Sequence, residues 1–302
     1  MSKSYQGKSK SPTRASKEKD QRKKHSDSGQ YKVARSSSSV AHSPKIASIP
    51  LDHLIYGQHA IEAAWCNSKR RIDSLYITED SLKGLLPFIE KAIALNIKRP
   101  TPQIVSNQEL NRILPPQAVH QGMAIKALPL EQPNLDDIIR RTQIGKSCRL
   151  LILDQVTDPH NIGAIMRSAA AFNATSIIVQ SRHAPPITAV LAKAACGAVE
   201  MVDYIDVVNL SRTIEELKEN GFMAVGMDGN TTQEINVLYT YNPAPEKIAM
   251  VLGAEGTGMR RLVKESCDIL IKLPSNPQMP SVNVSNAAAI GLFVLQSLTQ
   301  IN

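Results

Sequence analysis

The sequence predicts two α/β parts in tandem, the second built on a parallel sheet. Three observations carry this. From residue 150 onward, short apolar runs such as Leu150 to Leu153 and Ile248 to Leu252 are continuous rather than alternating, the pattern of strands buried on both faces. Helix-period segments separate most of these runs, and strand–helix–strand repetition builds parallel sheets whose ligand chemistry lies at the strands' carboxyl ends. A proline-punctuated stretch, 128–147, divides this series from a smaller, earlier one.

Residues 1–48 hold 13 serines and, before Val33, no Val, Ile, Leu or Phe. They cannot bury enough apolar area to offset the entropy of ordering, so a disordered tail is expected. Its 12 Lys/Arg against 3 Asp/Glu give +9, leaving the rest of the chain at −1. Such a polycation attracts nucleic acid through counterion release; a merely solubilising tail is the alternative. The tail is Lys-rich and lacks an apolar stripe, which argues against a secretory signal and a mitochondrial presequence alike.

No apolar run exceeds the nine residues of Ala287 to Leu295, against ~20 needed to span a membrane. Four cysteines lie 48 to 82 residues apart with no C-x-x-C pair, so neither a disulfide framework nor a zinc site is indicated. A cytoplasmic protein with no membrane and no metal partner is the expectation.

The first folded part, 49–127, opens with Tyr56-Gly57-Gln58-His59 ahead of a helix with Ala60, Ile61, Ala64 and Trp65 on one face. A strand over Ile72 to Thr78, a helix over Leu82 to Leu95, a short strand Gln103 to Ser106, a helix start at Ser106-Asn107-Gln108-Glu109 and a strand Gly122 to Ala127 follow. The connector 128–147 carries one helix, Asp136 to Thr142. The second part, 148–302, has strand candidates at Leu150 to Leu153, Ser176 to Val179, Val199 to Tyr204, Phe222 to Met227, Ile248 to Leu252 and Ile269 to Leu273.

Three segments of the second part follow strand ends and carry polar groups that a core does not need. In the first, Asp154 to Ala169, Asp158 is the N-cap and Pro159 the first helical residue. Asn161 lies in the first turn, and Arg167 lies further along the same helix. A surface ion pair would account for Arg167, and turn punctuation for Asp-Pro. The second, Leu252-Gly253-Ala254-Glu255-Gly256-Thr257-Gly258-Met259, is a glycine turn straight after an apolar strand, suited to close approach of backbone to a ligand. It matches neither the dinucleotide fingerprint nor the P-loop. In the third, Pro274 to Asn286, prolines forbid regular structure until Ser281, which can cap a helix with Asn283 and Ser285 on its polar side.

Together and in this order, the three segments resemble the motifs of the SpoU/TrmH family of RNA 2′-O-ribose methyltransferases. The resemblance covers roughly 150–299, and the front part is similar to the family's substrate-binding domain in Tyr56 to Ala63 and His120-Gln121-Gly122-Met123. It implies a small α/β substrate-binding domain, ribosomal protein L30e-like, followed by a SPOUT α/β domain with a C-terminal trefoil knot. It also implies catalysis around Asn161, Arg167, Glu255, Ser281, Asn283 and Ser285, with S-adenosylmethionine held near Gly253, Leu273 and Val282. A homodimer with active sites at the subunit interface, and a guanosine of 23S rRNA as target, complete the implication. Ser275 and Pro277 stand where the family has Met and Gly, Val282 where it has Leu, and Asn173 where it has Gly. Asn tolerates a left-handed backbone.

A ribose 2′-hydroxyl is a poor nucleophile at neutral pH, and no Asp or Lys in these motifs stands out as its base. A guanidinium is a permanent cation, so Arg167 is read as the group that holds the target phosphate and lowers the hydroxyl's pKa, with proton abstraction as a second role. RNA affinity is expected from the tail, the front part and Lys69-Arg70-Arg71. The rival readings are a tRNA ribose methyltransferase and a non-catalytic RNA-binding or ribosome-assembly factor on the same fold.

Overall fold

Two sheets carry the chain in a computed structural model that describes residues 50, 53–142, 147–276, 278 and 282–298. The basic tail expected over 1–48 lies outside the described residues, as do Pro277 and Ser281.

The front sheet has the order β1-β4-β2-β3, from β1 (Leu54–Tyr56), β2 (Ile72–Ile77), β3 (Gln103–Ile104) and β4 (Met123–Ala127). β1 is too short for a period-2 pattern, and only its antiparallel pairing with β4 reveals it. Helix α1 (Gln58–Cys66) buries Ala60, Ile61, Ala64 and Trp65, the face its spacing predicts. Helix α2 (Glu79–Ala94) starts a turn before its apolar periodicity. Thr78 caps it, and Glu79 and Asp80 suit its positive end. A capping box between Ser106 and Glu109 opens α3 (Asn107–Ile113). Gln121 Oε1 accepts from the Gln58 backbone N–H at 3.0 Å, so the two front motifs meet at the start of α1.

In the rear part six strands, all paired in parallel, run in the order β10-β8-β9-β5-β6-β7. They are β5 (Cys148–Asp154), β6 (Ser176–Gln180), β7 (Asp203–Val207), β8 (Met223–Met227), β9 (Lys247–Gly253) and β10 (Ile269–Ile271). β5 lies mid-sheet with all seven residues buried, which is why its sequence is apolar without alternation. Helices α4 (Leu135–Thr142), α5 (Pro159–Ala171), α6 (Ala189–Ala194), α7 (Leu210–Glu219), α8 (Arg261–Ser266) and α9 (Val284–Leu298) complete the chain. Asn173, after α5, takes the left-handed backbone expected of it, with φ 57°.

One strand expectation fails. Val199 to Tyr204 is not a strand: Gly197, at φ 90°, leads into a 3-10 turn over Ala198–Glu200, and β7 begins only at Asp203. The turn swings Glu200 inward to the front part, where it meets Arg70 at 2.6 Å with both side chains only 5% exposed. Asn67 Nδ2 donates to the same carboxylate at 2.6 Å, and Arg70 Nη1 donates to the Leu128 carbonyl. Arg70 therefore joins the two parts and is not available to RNA. Of the basic patch expected at 69–71, Lys69 and Arg71 remain exposed, and Arg71 stands 3.7 Å from Asp73.

Candidate active site

Local sequence builds each wall of the site. Asp158 Oδ1 accepts from the His160 N–H at 3.0 Å and Pro159 occupies the first turn, which starts α5 as its cap chemistry predicts. Ile162, Ile165, Met166 and Ala169 bury one face, so Asn161 stands at the carboxyl edge of the sheet. After β9, the glycine turn folds back on itself through a bridge between Ala254 and Gly258. A Cβ on Gly253 would stand 2.1 Å from the Gly258 carbonyl carbon, so glycine is demanded by the loop's own backbone before any ligand.

The third segment differs from expectation at its cap. Helix α9 begins at Val284, and Asn283 Oδ1 accepts from the backbone of Ser285 (2.9 Å) and Asn286 (3.3 Å). Asn283 takes the capping role, two positions beyond Ser281, which lies outside the described residues.

These segments converge. Asn283 Nδ2 donates to Glu255 Oε1 at 2.5 Å and to Asn161 Oδ1 at 3.1 Å, while Asn161 Nδ2 approaches Glu255 Oε1 at 3.4 Å. The Val284 N–H reaches the same Glu255 oxygen at 3.3 Å, and Ser285 Oγ donates to Asn283 Oδ1 at 2.5 Å. Four of the expected residues thus form one network from positions 161, 255, 283 and 285.

Beside it lies a cavity of about 410 Å³, within the range of small-molecule sites. Gly253, Leu273 and Val282 all line it, with Leu252, Glu255 and Ala287. Asp228, also in its wall, pairs with Lys264 at 2.7 Å. Burial pushes the Asp228 carboxyl up, but the Lys264 ammonium and the Asn230 N–H outweigh this and hold it below the usual aspartate value.

Arg167 does not join the network. It lies six residues beyond Asn161, about 9 Å along the axis and on another face of the helix at ~100° per residue. It is exposed, and its Nη1 contacts Cys196 Sγ at 3.6 Å. Within one chain, the guanidinium and the amide network stay apart.

Sequence reasoning missed Asp154. Its carboxylate is fully buried at the end of β5 and accepts from the Arg260 backbone N–H at 2.7 Å and from Nε at 2.8 Å. This pair pins the glycine loop to the strand that leads into Asn161. The available signal was a carboxylate ending an apolar strand and an Arg two residues beyond the last glycine of the loop.

The SpoU rRNA Methylase family matches residues 149–293, and the RNA 2′-O ribose methyltransferase substrate binding family matches 54–133. The 23S rRNA (guanosine-2′-O-)-methyltransferase RlmB of Pseudomonas putida is 36% identical over 243 residues, covering 79% of this chain and 94% of its own. Its Vibrio cholerae counterpart is 39% identical over 254 residues, covering 80% and 95%. In fold, the chain is similar to the SpoU methyltransferase AviRb from Streptomyces viridochromogenes, solved with AdoMet, at a TM-score of 0.63 and 19% identity, covering 82% and 89% of the two chains. Both parts are matched in order, and relatives at 36% and 39% identity are covered almost end to end: the chain belongs to the SpoU rRNA methylase family.

Proposed function

We propose that the protein transfers a methyl group from S-adenosylmethionine to the ribose 2′-hydroxyl of a guanosine in 23S rRNA. The carrying observation is the hydrogen-bonded meeting of Asn161, Glu255 and Asn283 beside the cavity. The relatives named for 23S rRNA favour that substrate over tRNA, and the intact network speaks against a pure binding factor. The proposal extends to the division into tail, substrate-binding domain (49–127), linker and methyltransferase domain (148–302), to a cytoplasmic location, and to a trefoil knot, which the family resemblance alone supports.

The cavity fits the cofactor. Leu252, Leu273, Val282 and Ala287 offer apolar walls for an adenine ring, and the Gly253–Gly258 main chain offers hydrogen bonds. When bound, S-adenosylmethionine supplies an electrophilic methyl group on a sulfonium. Glu255 presents a carboxylate to that cationic region, and the Asn161 and Asn283 amides fix its direction. They leave it aligned, and alignment of reacting groups is worth ~7–11 kcal/mol at best. Arg167 holds the phosphate beside the target ribose and lowers the hydroxyl's pKa as its proton departs.

Because Arg167 lies apart from the network, a complete site takes Arg167 from a second copy of the chain. A homodimer supplies it. The exposed face of α9 offers a surface for this: Phe293 is 59% and Ile290 45% exposed, and Phe293 meets Phe172 edge-on at 6.1 Å between ring centres.

Mapping of ribose methylation in 23S rRNA from a deletion strain, with and without the restored gene, tests the reading. One guanosine should lose its 2′-O-methyl group and regain it on complementation. An unchanged methylation map would defeat the proposal.

A further inference from the structure

A second cavity, of about 390 Å³, shares no wall residue with the first. It opens between the loop after β6, the flank of the edge strand β7, β1 and the connector after β4. Its floor is apolar, from the buried Leu54, Ile55, Ala192 and Val199. Pro185 and Pro186 add flat faces to the wall.

The polar groups of the wall select for a kind of ligand. Gln132 Oε1 accepts from the Tyr204 backbone N–H at 2.9 Å, while its Nε2 reaches only the Leu130 carbonyl at 3.5 Å, too long for a good hydrogen bond. The amide protons are therefore on offer. Asp206 is exposed and has no hydrogen bond or ion pair among the described residues. Arg70, the cation of the wall, is neutralised by Glu200. A phosphate would meet Asp206 with no free cation within the wall, so the cavity suits a neutral ring with N–H donors. Arg182 and His183, exposed on the same loop, lie outside the wall, where a sugar-phosphate backbone would run.

A carboxylate that accepts two N–H groups, next to an amide that donates to a carbonyl, complements the Watson–Crick edge of guanine. Flat apolar faces suit an unstacked base, and RNA is read chiefly through such splayed-out bases. We propose that this second cavity receives one extruded guanine base of the bound RNA. Asp206 accepts from its ring N–H and exocyclic amine, and Gln132 Nε2 donates to its carbonyl. The proposal rests on the reading that the protein acts on RNA.

The same edge belongs to a free guanine nucleotide, so the test carries both sources. On the full-length protein, Asp206→Asn removes the charge at an exposed position, and Ala184→Phe fills the cavity from its partly exposed wall. With an rRNA fragment as substrate, both variants should raise the RNA KM about 10-fold, the scale of one bidentate base contact. Turnover and S-adenosylmethionine affinity should hold within about twofold, which a merely structural defect would not allow. GMP should inhibit competitively against the RNA fragment and lose that effect in Asp206→Asn. IMP, which lacks the exocyclic amine, should inhibit less, and AMP least.

An RNA KM unchanged in both variants would overturn the proposal, as would equal inhibition by GMP and AMP. GMP that binds in equilibrium dialysis, is weakened by Asp206→Asn and does not compete with RNA would overturn it in favour of a free-nucleotide site. Failure of the wild-type protein to methylate any rRNA would instead remove the functional reading, and dialysis with GMP would still report on the cavity.

Discussion

At Glu255 a single carboxylate oxygen is approached by two side-chain amides and a backbone N–H. A glutamine oxygen can accept the same bonds, so Glu255→Gln removes the charge while keeping the shape. We expect its melting temperature to stay near wild type and its turnover to fall on the order of tenfold or more, since a charge-assisted bond contributes ~1.5–3 kcal/mol. Single-turnover methylation paired with a thermal melt checks this; wild-type turnover would leave the carboxylate without a role. The three segments stood out as polar groups that a core does not need, but the joint role of these residues was legible only through the resemblance to the family's ordered motifs. Asp154 was not, because one buried acid at the end of an apolar strand reads as a boundary until its partner Arg260, more than a hundred positions away, is seen beside it.

Among the elements, the 3-10 turn at Ala198–Glu200 matters more than its length suggests. Glu200→Ala would leave the Arg70 cation, 5% exposed, without its counter-charge, a change that costs about 3–5 kcal/mol for buried pairs. The double variant Arg70→Met/Glu200→Leu should recover most of that loss, as read from urea midpoints; a negligible effect of Glu200→Ala would mean the seam is held by other contacts. The pair also explains why 199–204 misled the sequence reading. Val199, Met201 and Val202 are apolar enough to suggest a strand, but the left-handed Gly197 leads into a 3-10 turn whose Glu200 finds its partner in the other part, a contact invisible to local pattern. The continuous strands β5 and β9 were legible because burial on both faces writes itself into consecutive residues, whereas β1 holds only three.

Asp228 gives the rear sheet a pH signature. Its carboxyl is held below the usual value in the folded state, so the stability it contributes is fully present above the ordinary aspartate pKa of ~3.9 and fades as pH falls through the lower folded value. Denaturant midpoints measured downward from pH 5 should therefore fall less steeply in Asp228→Asn than in wild type. Parallel curves would remove the Asp228–Lys264 pair from the acid response.

For the whole molecule, the proposal that Arg167 reaches the amide network from a second copy makes activity a property of two copies. Arg167→Ala and Asn283→Ala should each be inactive alone, yet mixed preparations should regain a fraction of wild-type turnover, because one hybrid site in the pair is intact. No recovery on mixing would argue for a site closed within one chain. The charge distribution makes a separate claim: deleting residues 1–48, which carry +9, should weaken RNA binding and flatten its dependence on salt while S-adenosylmethionine affinity holds. An unaltered salt slope would dismiss the tail as an RNA contact. The order of the two parts could be read from composition and motifs, but the seam between them could not, since its ion pair and shared core bring together side chains far apart in sequence.

The buried Asp154 grips the residue that closes the glycine turn, and the same strand feeds directly into the helix that carries Asn161. A loop that swung outward to admit a donor molecule would have to break that grip or pull the amide with it. The glycine turn and the start of the Asn161 helix therefore share one anchor, so a change that frees Arg260 from Asp154 reaches both walls of the site.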